Sequence, residues 1–506
     1  MATSKTPASK TKKSSTETKT SKKTKSEKPA VKKTPSKNLS ATDKKELALQ
    51  TEKMSQIVKK QREYFISGAT LPIPFRKRML DLLYKQIKLH QKDIAEALKR
   101  DLGKSNFEAY ATEIGIVLSE ISHQKKNIRK WSKAKKVSQP ISNFPSSSKI
   151  FAEPYGVTLI MSPWNYPFQL AINPLVTAIA AGNTAIVKPS RYSTYTSRII
   201  EQIITKIFDP QYIAVVQGGH IQNQALLAQH FDFIFFTGSV NVGKIVMEKA
   251  AQFLTPVCLE LGGKSPCIVD QTADIKIAAR RIVWGKCLNA GQTCIAPDYL
   301  LVHESVKKQL LANINDELTA QFGENPLKNS DFPKIINEKH FTRLLSLYPQ
   351  AVKDKENLKI KPAFVDIGEL NSDEANNHPL MSQEIFGPLM PVITFNDINN
   401  VIKFINSKNR PLALYLFSTN KNTQSKIISQ IRYGGGCIND TITHILSNNL
   451  PFGGIGESGM GSYHGKAGFD TFTHYKSVVN KSNLIDISTR YAPYYGKLSI
   501  IKKFLH

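Results

Sequence analysis

The stretch "FDFIFFTGSVNVGKIVMEKA", Phe231 to Ala250, is an apolar run, a turn at Gly238 and a helix-compatible segment. A strand that passes through a glycine turn into a helix points free backbone N–H groups at an anion, and the helix dipole favours negative charge there. Gly238, Gly243 and Lys244 come close to the nucleotide P-loop, in which the next residue is Ser or Thr and holds Mg²⁺. Here it is Ile245. ATP chemistry is the poorer reading, although Asp270 of "CIVDQ" stands where a second Mg²⁺ ligand would be sought. A dinucleotide cofactor held at Gly238, Ser239 and Gly243 is the better one. The spacing departs from G-x-G-x-x-G, so an ordinary strand-turn-helix stays open on this segment alone.

A second glycine run, "GIGESG" at Gly454 to Gly459, matches G-x-G-x-x-G letter for letter. It follows "NNLPFGG" rather than a strand, and no helix starts after it, so it reads as a flexible active-site or interface loop. Around the first stretch, short apolar runs alternate with helix-compatible segments: "GVTLIMSP", "TAIVKPS", "IAVVQGG", and further on "DYLLVH", "MPVITF" and "ALYLFS". That alternation predicts two α/β domains built on mostly parallel, doubly wound sheets. Upstream, "RKRMLDLLYKQIKLHQKDIAEALKRDLG" sets Leu83, Ile87, Ile94 and Leu98 on one face, which predicts one amphipathic helix stopped by Gly103.

The bulk numbers limit the classes of function. At 506 residues the chain needs about two to three cores. Its 41% hydrophobic and 22% charged content reads as a soluble globular protein. No apolar run is long enough for a membrane span or shaped like a signal peptide, so a cytoplasmic location is expected. The five cysteines show neither C-x-x-C nor zinc-like spacing, and no metal site is expected. Net charge is +29. Residues 1–40 carry twelve Lys against two Glu in a Ser/Thr/Pro-rich sequence, a tail that cannot bury a core. Elsewhere the excess is scattered as single lysines, so no nucleic-acid partner is expected; the tail is suited at most to weak contact with acidic surfaces.

Three further segments carry chemistry. "GQTCIAPD" places Cys294 among small polar neighbours after a turn; "CLELGGKSP" places Glu260 before two glycines; "MSPWNYPF" holds Asn165 between Pro163 and Pro167. A thiol, a carboxylate and a fixed amide are the nucleophile, base and oxyanion donor of an acyl-thioester enzyme. Together with "FFTGSVNVGKIV", "SQEIFGPLMP", "PLALYLF" and "LPFGGIGESGMGSYHGK", these segments resemble the aldehyde dehydrogenases, in particular the class 3, fatty-aldehyde branch, over roughly residues 55–490.

That resemblance implies NAD(P)-dependent oxidation of aldehydes, of medium or long aliphatic chain or aromatic, to carboxylic acids. It assigns Cys294 as nucleophile, Asn165 with the Cys294 backbone N–H as oxyanion hole, and Glu260 as the base that activates water. On the cofactor side it implies Glu384 at the nicotinamide ribose, Phe386 and Trp164 near the ring, Lys188 at the adenosine ribose, and Gly238, Ser239 and Gly243 around the pyrophosphate. By position alone Glu260, about 20 residues after the glycine turn, would be taken for a ribose ligand. Where the family commonly has Glu after "KPS", this chain has Arg191, a fork suited to a 2′-phosphate, so NAD and NADP both stay open.

The expected fold is aldehyde dehydrogenase-like: a Rossmann-type cofactor domain, an α/β catalytic domain and a small β bridging element. The expected boundaries are a disordered tail at 1–47, a cofactor domain at 48–138 and 157–261, and bridging or dimerisation strands at 139–156 and 474–490. A catalytic domain follows at 262–473, and a basic segment at 491–506. A homodimer is implied. The readings set against this one are a P-loop-like nucleotide-binding protein and a basic binding protein built on a dead enzyme.

Overall fold

The computed structural model describes residues 40–140 and 143–504. One sheet of six strands runs, in spatial order, Gly459–Met460, Val257–Glu260, Phe233–Thr237, Val157–Met161, Thr184–Lys188 and Ile213–Val215. All neighbours are parallel except Gly459–Met460, which pairs antiparallel with Val257–Glu260. The three central strands are buried at every position, as strands covered by helices on both faces must be. The chain leaves Val157–Met161 first towards Thr184–Lys188 and later returns to its other side at Phe233–Thr237. The order therefore reverses between Val157–Met161 and Phe233–Thr237. Ligands of doubly wound sheets bind beyond the carboxyl ends of the strands at such a reversal, and those ends lead here into Ser162–Asn165 and Gly238–Ser239.

The second sheet is wholly parallel: Ala363–Glu369, Leu389–Phe395, Tyr299–His303, Pro266–Val269, Ala413–Phe417 and Gly435–Ile438. A third, antiparallel sheet joins Lys135–Val137, Ser146–Pro154 and Thr473–Lys481, the last two paired over nine residues from Thr473 opposite Pro154 to Lys481 opposite Ser146.

Several expected boundaries move. The helix Ala41–Ile66, capped by Ser40 accepting from the Asp43 N–H at 3.1 Å, lies partly inside the expected tail. Residues 1–39 lie outside the described residues. The single helix expected across Leu83 to Leu98 is two, Ile73–Leu89 and Gln91–Leu102, broken at His90, whose ring bonds Asp93 at 2.8 Å. Leu83, Ile87, Ile94 and Leu98 are all fully buried, so the apolar spacing carried across the break. Gly103, at φ +72°, ends the second helix as expected.

Residues 459–472, expected in the catalytic domain, belong instead with the cofactor sheet. Phe472 packs on Phe233 and Phe235 with ring centroids 5.0 and 5.8 Å apart. The strand Lys135–Val137 joins the bridging sheet although it was expected in the cofactor domain. The "GIGESG" run is a tight hydrogen-bonded turn, with the Ile455 N–H on Ser458 Oγ at 2.9 Å, that sets Gly459 directly opposite Glu260.

Candidate active site

Asn165 follows the strand Val157–Met161 and is buried. Its side-chain amide donates to the Gln292 carbonyl at 3.0 Å, and its own carbonyl accepts from Asn289 Nδ2 at 2.7 Å. Gln292 in turn donates to the carbonyls of Asn289 and Lys334, both at 3.0 Å, and accepts from the Ile336 N–H. These bonds tie the Asn165 loop of one domain to the turn before Cys294 in the other. That turn is unusual: Asn289, Ala290 and Gly291 all have left-handed φ, at +51°, +50° and +72°. A Cβ at Gly291 would lie 2.2 Å from the Gly387 carbonyl oxygen, so only glycine lets this turn approach the loop carrying Glu384 and Phe386.

Cys294 is half-buried, and burial, reinforced by the carboxyls of Glu384 and Glu260, pushes its thiol up to about 12. Glu260 ends the strand Val257–Glu260; its Oε2 is buried without a hydrogen-bond partner, and burial drives its carboxyl well above the usual range. The nucleophile and base candidates thus both rest uncharged. Tyr166 places its hydroxyl 2.6 Å from Thr293 Oγ1, beside the thiol.

The residues expected on the cofactor side lie around the sheet reversal. Ser239 stands at the N-cap of Val240–Ala251 without a side-chain capping bond, which leaves the first-turn N–H groups free for an anion. Gly238 is needed for another reason as well: a Cβ there would meet the Phe236 ring at 2.6 Å. Gly243 has a packing role. Its N–H is used on the Ser239 carbonyl at 2.9 Å and a Cβ would strike Leu261 at 2.6 Å, so its smallness serves helix-to-strand packing.

Lys188 is buried and donates to the Pro189 carbonyl at 2.7 Å; burial, then the neighbouring Arg191 charge, lowers its ammonium to about 8. Arg191 is exposed, forms no salt bridge among the described residues, and lies over the Tyr192 ring at 5.2 Å. Glu384 is raised to about 8, first by burial and then by Asp298; a Cβ at Gly262 would sit 2.1 Å from its Oε2. Trp164 and Phe386 meet edge to face at 5.3 Å, and His340 packs on Trp164 at 4.7 Å. An open helix N-terminus, a buried unpaired Thr237 hydroxyl and glycines cleared for Glu384 fit a dinucleotide.

Sequence reasoning missed His340, Tyr192, Asn289 and Gln292. Gln292 lies within "GQTCIAPD", two residues before Cys294, but nothing in the letters shows that it binds Asn165; the other three lie in no recognisable motif, and only the fold brings them to the site.

A cavity of about 560 Å³ reaches the thiol. Cys294, Glu260 and Thr237 line it together with Ile116, Leu170, Trp284, Leu288, Ile442 and Phe452. Cys287 lines it too but is fully buried, as is Cys267; Cys258 is buried with its Sγ 4.0 Å from Glu260 Oε1, and Cys437 is half-buried against His444. His464 is buried against Tyr463 at 4.2 Å, and burial holds its imidazole down at about 4, hence neutral.

The profile of the aldehyde dehydrogenase family matches residues 20–478. The 4,4'-diaponeurosporen-aldehyde dehydrogenase of Staphylococcus aureus is 47% identical over 451 residues, spanning 88% of this chain and 97% of that protein. The "aldehyde dehydrogenase, dimeric NADP-preferring" of Canis lupus familiaris is 41% identical over 459 residues, spanning 88% and 99%. The substrate-bound structure of Staphylococcus aureus AldH superposes with a TM-score of 0.86 at 46% identity, covering 89% of this chain and 99% of that one. Similarity of this depth, running through both parallel sheets and the turn that carries Cys294, settles the family: the chain belongs to the aldehyde dehydrogenases and oxidises aldehydes with NAD or NADP.

Proposed function

We propose that this enzyme oxidises apolar aldehydes, of medium to long aliphatic chain or aromatic, to carboxylic acids, with Cys294, Asn165 and Glu260 carrying the chemistry. The observation that carries the substrate reading is the largely apolar cavity that reaches the thiol. Cys294 gives its thiol proton to water that enters with the substrate, its sulfur then bonds to the aldehyde carbon, and the carbonyl electron pair moves onto oxygen. The Cys294 backbone N–H and the Asn165 amide, which has one N–H beyond its bond to Gln292, are the donors for that oxyanion. NAD(P), which the free helix N-terminus at Ser239, Lys188 and Glu384 would hold, would supply the hydride acceptor for this carbon. Cys294 then holds a thioester. Water that reaches the thioester also solvates Glu260, which eases ionisation of a carboxyl otherwise kept neutral by burial. Glu260 takes the water proton, hydroxide adds to the thioester carbon, and collapse expels Cys294 Sγ with release of the acid.

The same reading extends to assembly and location. Tyr475, Val478 and Val479 expose apolar surface on the bridging strand Thr473–Lys481, which supports a dimer. All five cysteines are free, as in a reducing compartment, and no helix among the described residues is long and apolar enough to cross a membrane; both support action in the cytoplasm.

A homologous series of straight-chain aldehydes tests the substrate reading. Each methylene buried in the cavity is worth about 0.8 kcal/mol, so kcat/KM should rise about fourfold per carbon until the cavity is filled. A flat series, or turnover retained by Cys294→Ala, refutes it.

A further inference from the structure

The segment Lys104 to Glu113 supplies none of the groups assigned above, yet it carries three buried charged side chains. Lys104 and Glu113 are 0% exposed and Glu108 is 7% exposed. A short α-turn, Asn106–Ala109, runs into a π-turn, Tyr110–Ile114. The wider turn brings position i+5 back over position i, so Glu108 and Glu113 share the inner face. Gly115 closes it by donating to the Tyr110 carbonyl, five residues back. Turns of this kind inside helices recur at functional sites.

Each charge holds one part of the site. Glu113 Oε2 accepts the backbone N–H groups of Phe168 and Gln169 at 2.8 and 3.1 Å, and its Oε1 accepts from Lys104 Nζ at 2.6 Å. Lys104 also donates to the Asn165 carbonyl at 3.3 Å and lies 3.9 Å from the Tyr166 ring centroid. Glu108 Oε1 accepts the Asn289 N–H at 2.8 Å, at the head of the left-handed turn that leads to Cys294, while the same side chain lines the cavity. Two non-glycine residues at positive φ persist only where surrounding contacts hold them.

We propose that Lys104, Glu108 and Glu113 form a frame that positions the Asn165 amide against the Cys294 thiol, with Glu108 the member that sets the nucleophile turn. Glu113 and Lys104 hold the Asn165 side of the site. Glu108 holds the Cys294 side, and Asn289 closes the loop by donating back to Asn165. All three are positioning residues, since none touches the reacting atoms.

A carboxylate accepts an N–H more strongly than a carboxylic acid does. Burial raises Glu108 to about 7, opposed by Lys104 and the Asn289 N–H and reinforced by Glu113 and Asp331; Tyr166 faces the same cluster. The turn is therefore gripped more firmly as pH rises through about 7. That gives a signature that simple packing would lack.

The test uses the full chain with Glu108→Gln, which keeps an acceptor oxygen without its titration, and Glu108→Ala, which leaves the Asn289 N–H buried and unpaired. Two quantities are read: kcat and KM at saturating NAD(P), and the rate of Cys294 alkylation by iodoacetamide without cofactor, followed on the Cys294 peptide by mass spectrometry. Glu108→Ala is expected to lower kcat at least tenfold with aldehyde KM within threefold. Glu108→Gln should keep kcat within threefold at pH 7 but lose an inflection near pH 7 that wild type shows in the alkylation rate. An alkylation profile that is the same in wild type and Glu108→Gln overturns the proposal, and this arm stands even if Glu108→Ala does not fold. Wild-type kcat in Glu108→Ala overturns it equally.

Discussion

At the scale of single residues, the site rests in neutral form. Cys294 and Glu260 are both held uncharged by burial, so ionisation has to accompany substrate or water entry. Glu260→Gln should separate the two half-reactions: one burst of reduced cofactor with thioester trapped on Cys294, then steady-state turnover reduced at least a hundredfold, the low end of the 10²–10⁴ typical of a general base. Rapid-quench mass spectrometry reads the trapped acyl group; a missing burst would mean that Glu260 also takes the thiol proton. Cofactor choice is the other residue-scale question. Lys188 is an ammonium below about 8 and neutral above it, so attraction for a 2′-phosphate fades as pH rises through that value. The Kd for NADP⁺ should rise across pH 8 while that for NAD⁺ stays flat. Arg191→Glu should weaken NADP⁺ about tenfold, the lower end for a charge-assisted bond because Arg191 is exposed to water. Loss of the neighbouring positive charge should also carry the pH step upward. Equal changes for both cofactors in fluorescence titrations would take Arg191 and Lys188 away from the ribose.

At the scale of elements, the proposed catalytic carboxyl of Glu260 is held by a strand at the boundary of the two domains. Glu260 is the last residue of Val257–Glu260, and its other neighbour is a strand of only two residues, Gly459–Met460. Gly459 has φ +144°, and a Cβ there would lie 2.2 Å from the Leu259 carbonyl oxygen. Backbone cannot yield as a flexible side chain can. Gly459→Ala is therefore expected to cost about 1–3 kcal/mol in a urea unfolding series and to lower kcat by shifting Glu260. Unchanged stability and turnover would show that the strand pairing is dispensable. The letters "GIGESG" promised a phosphate loop or a mobile one. Gly459 is there because it lies against the backbone of the strand that ends at Glu260, while a Cβ at Gly454 would strike the Ser458 carbonyl within the turn itself.

At the scale of the whole molecule, the chain does not run domain by domain. After building the second sheet it returns, through Gly459 to Phe472, to cover the cofactor sheet, and then leaves along Thr473–Lys481 into the bridging sheet. The exposed Tyr475, Val478 and Val479 lie on that strand. Light scattering at micromolar concentration should give twice the 56.5 kDa chain mass, and Val478→Lys should shift the population towards monomer. A monomeric wild type would refute the dimer.

The sequence alone was enough for the two α/β domains, and its resemblance to a known family for picking out Cys294, Glu260 and Asn165 as candidates. Buried parallel strands read as short apolar runs, whereas Glu260 by position alone reads as a ribose ligand and takes its role as base from the resemblance. The apolar face across Leu83 to Leu98 was legible too, although the backbone break at His90 was not, since a heptad-like spacing survives a one-residue hinge. Only the tertiary structure revealed that Gly243 packs on Leu261 and that Asn289 and Gln292 tie the Asn165 loop to the Cys294 turn. It alone placed the charged trio from Lys104 to Glu113 behind both. Such roles depend on contacts between residues set apart along the chain, by 124 positions for Asn165 and Asn289 and 181 for Glu108 and Asn289, and the local periodicity of a chain carries no record of what packing will set beside it.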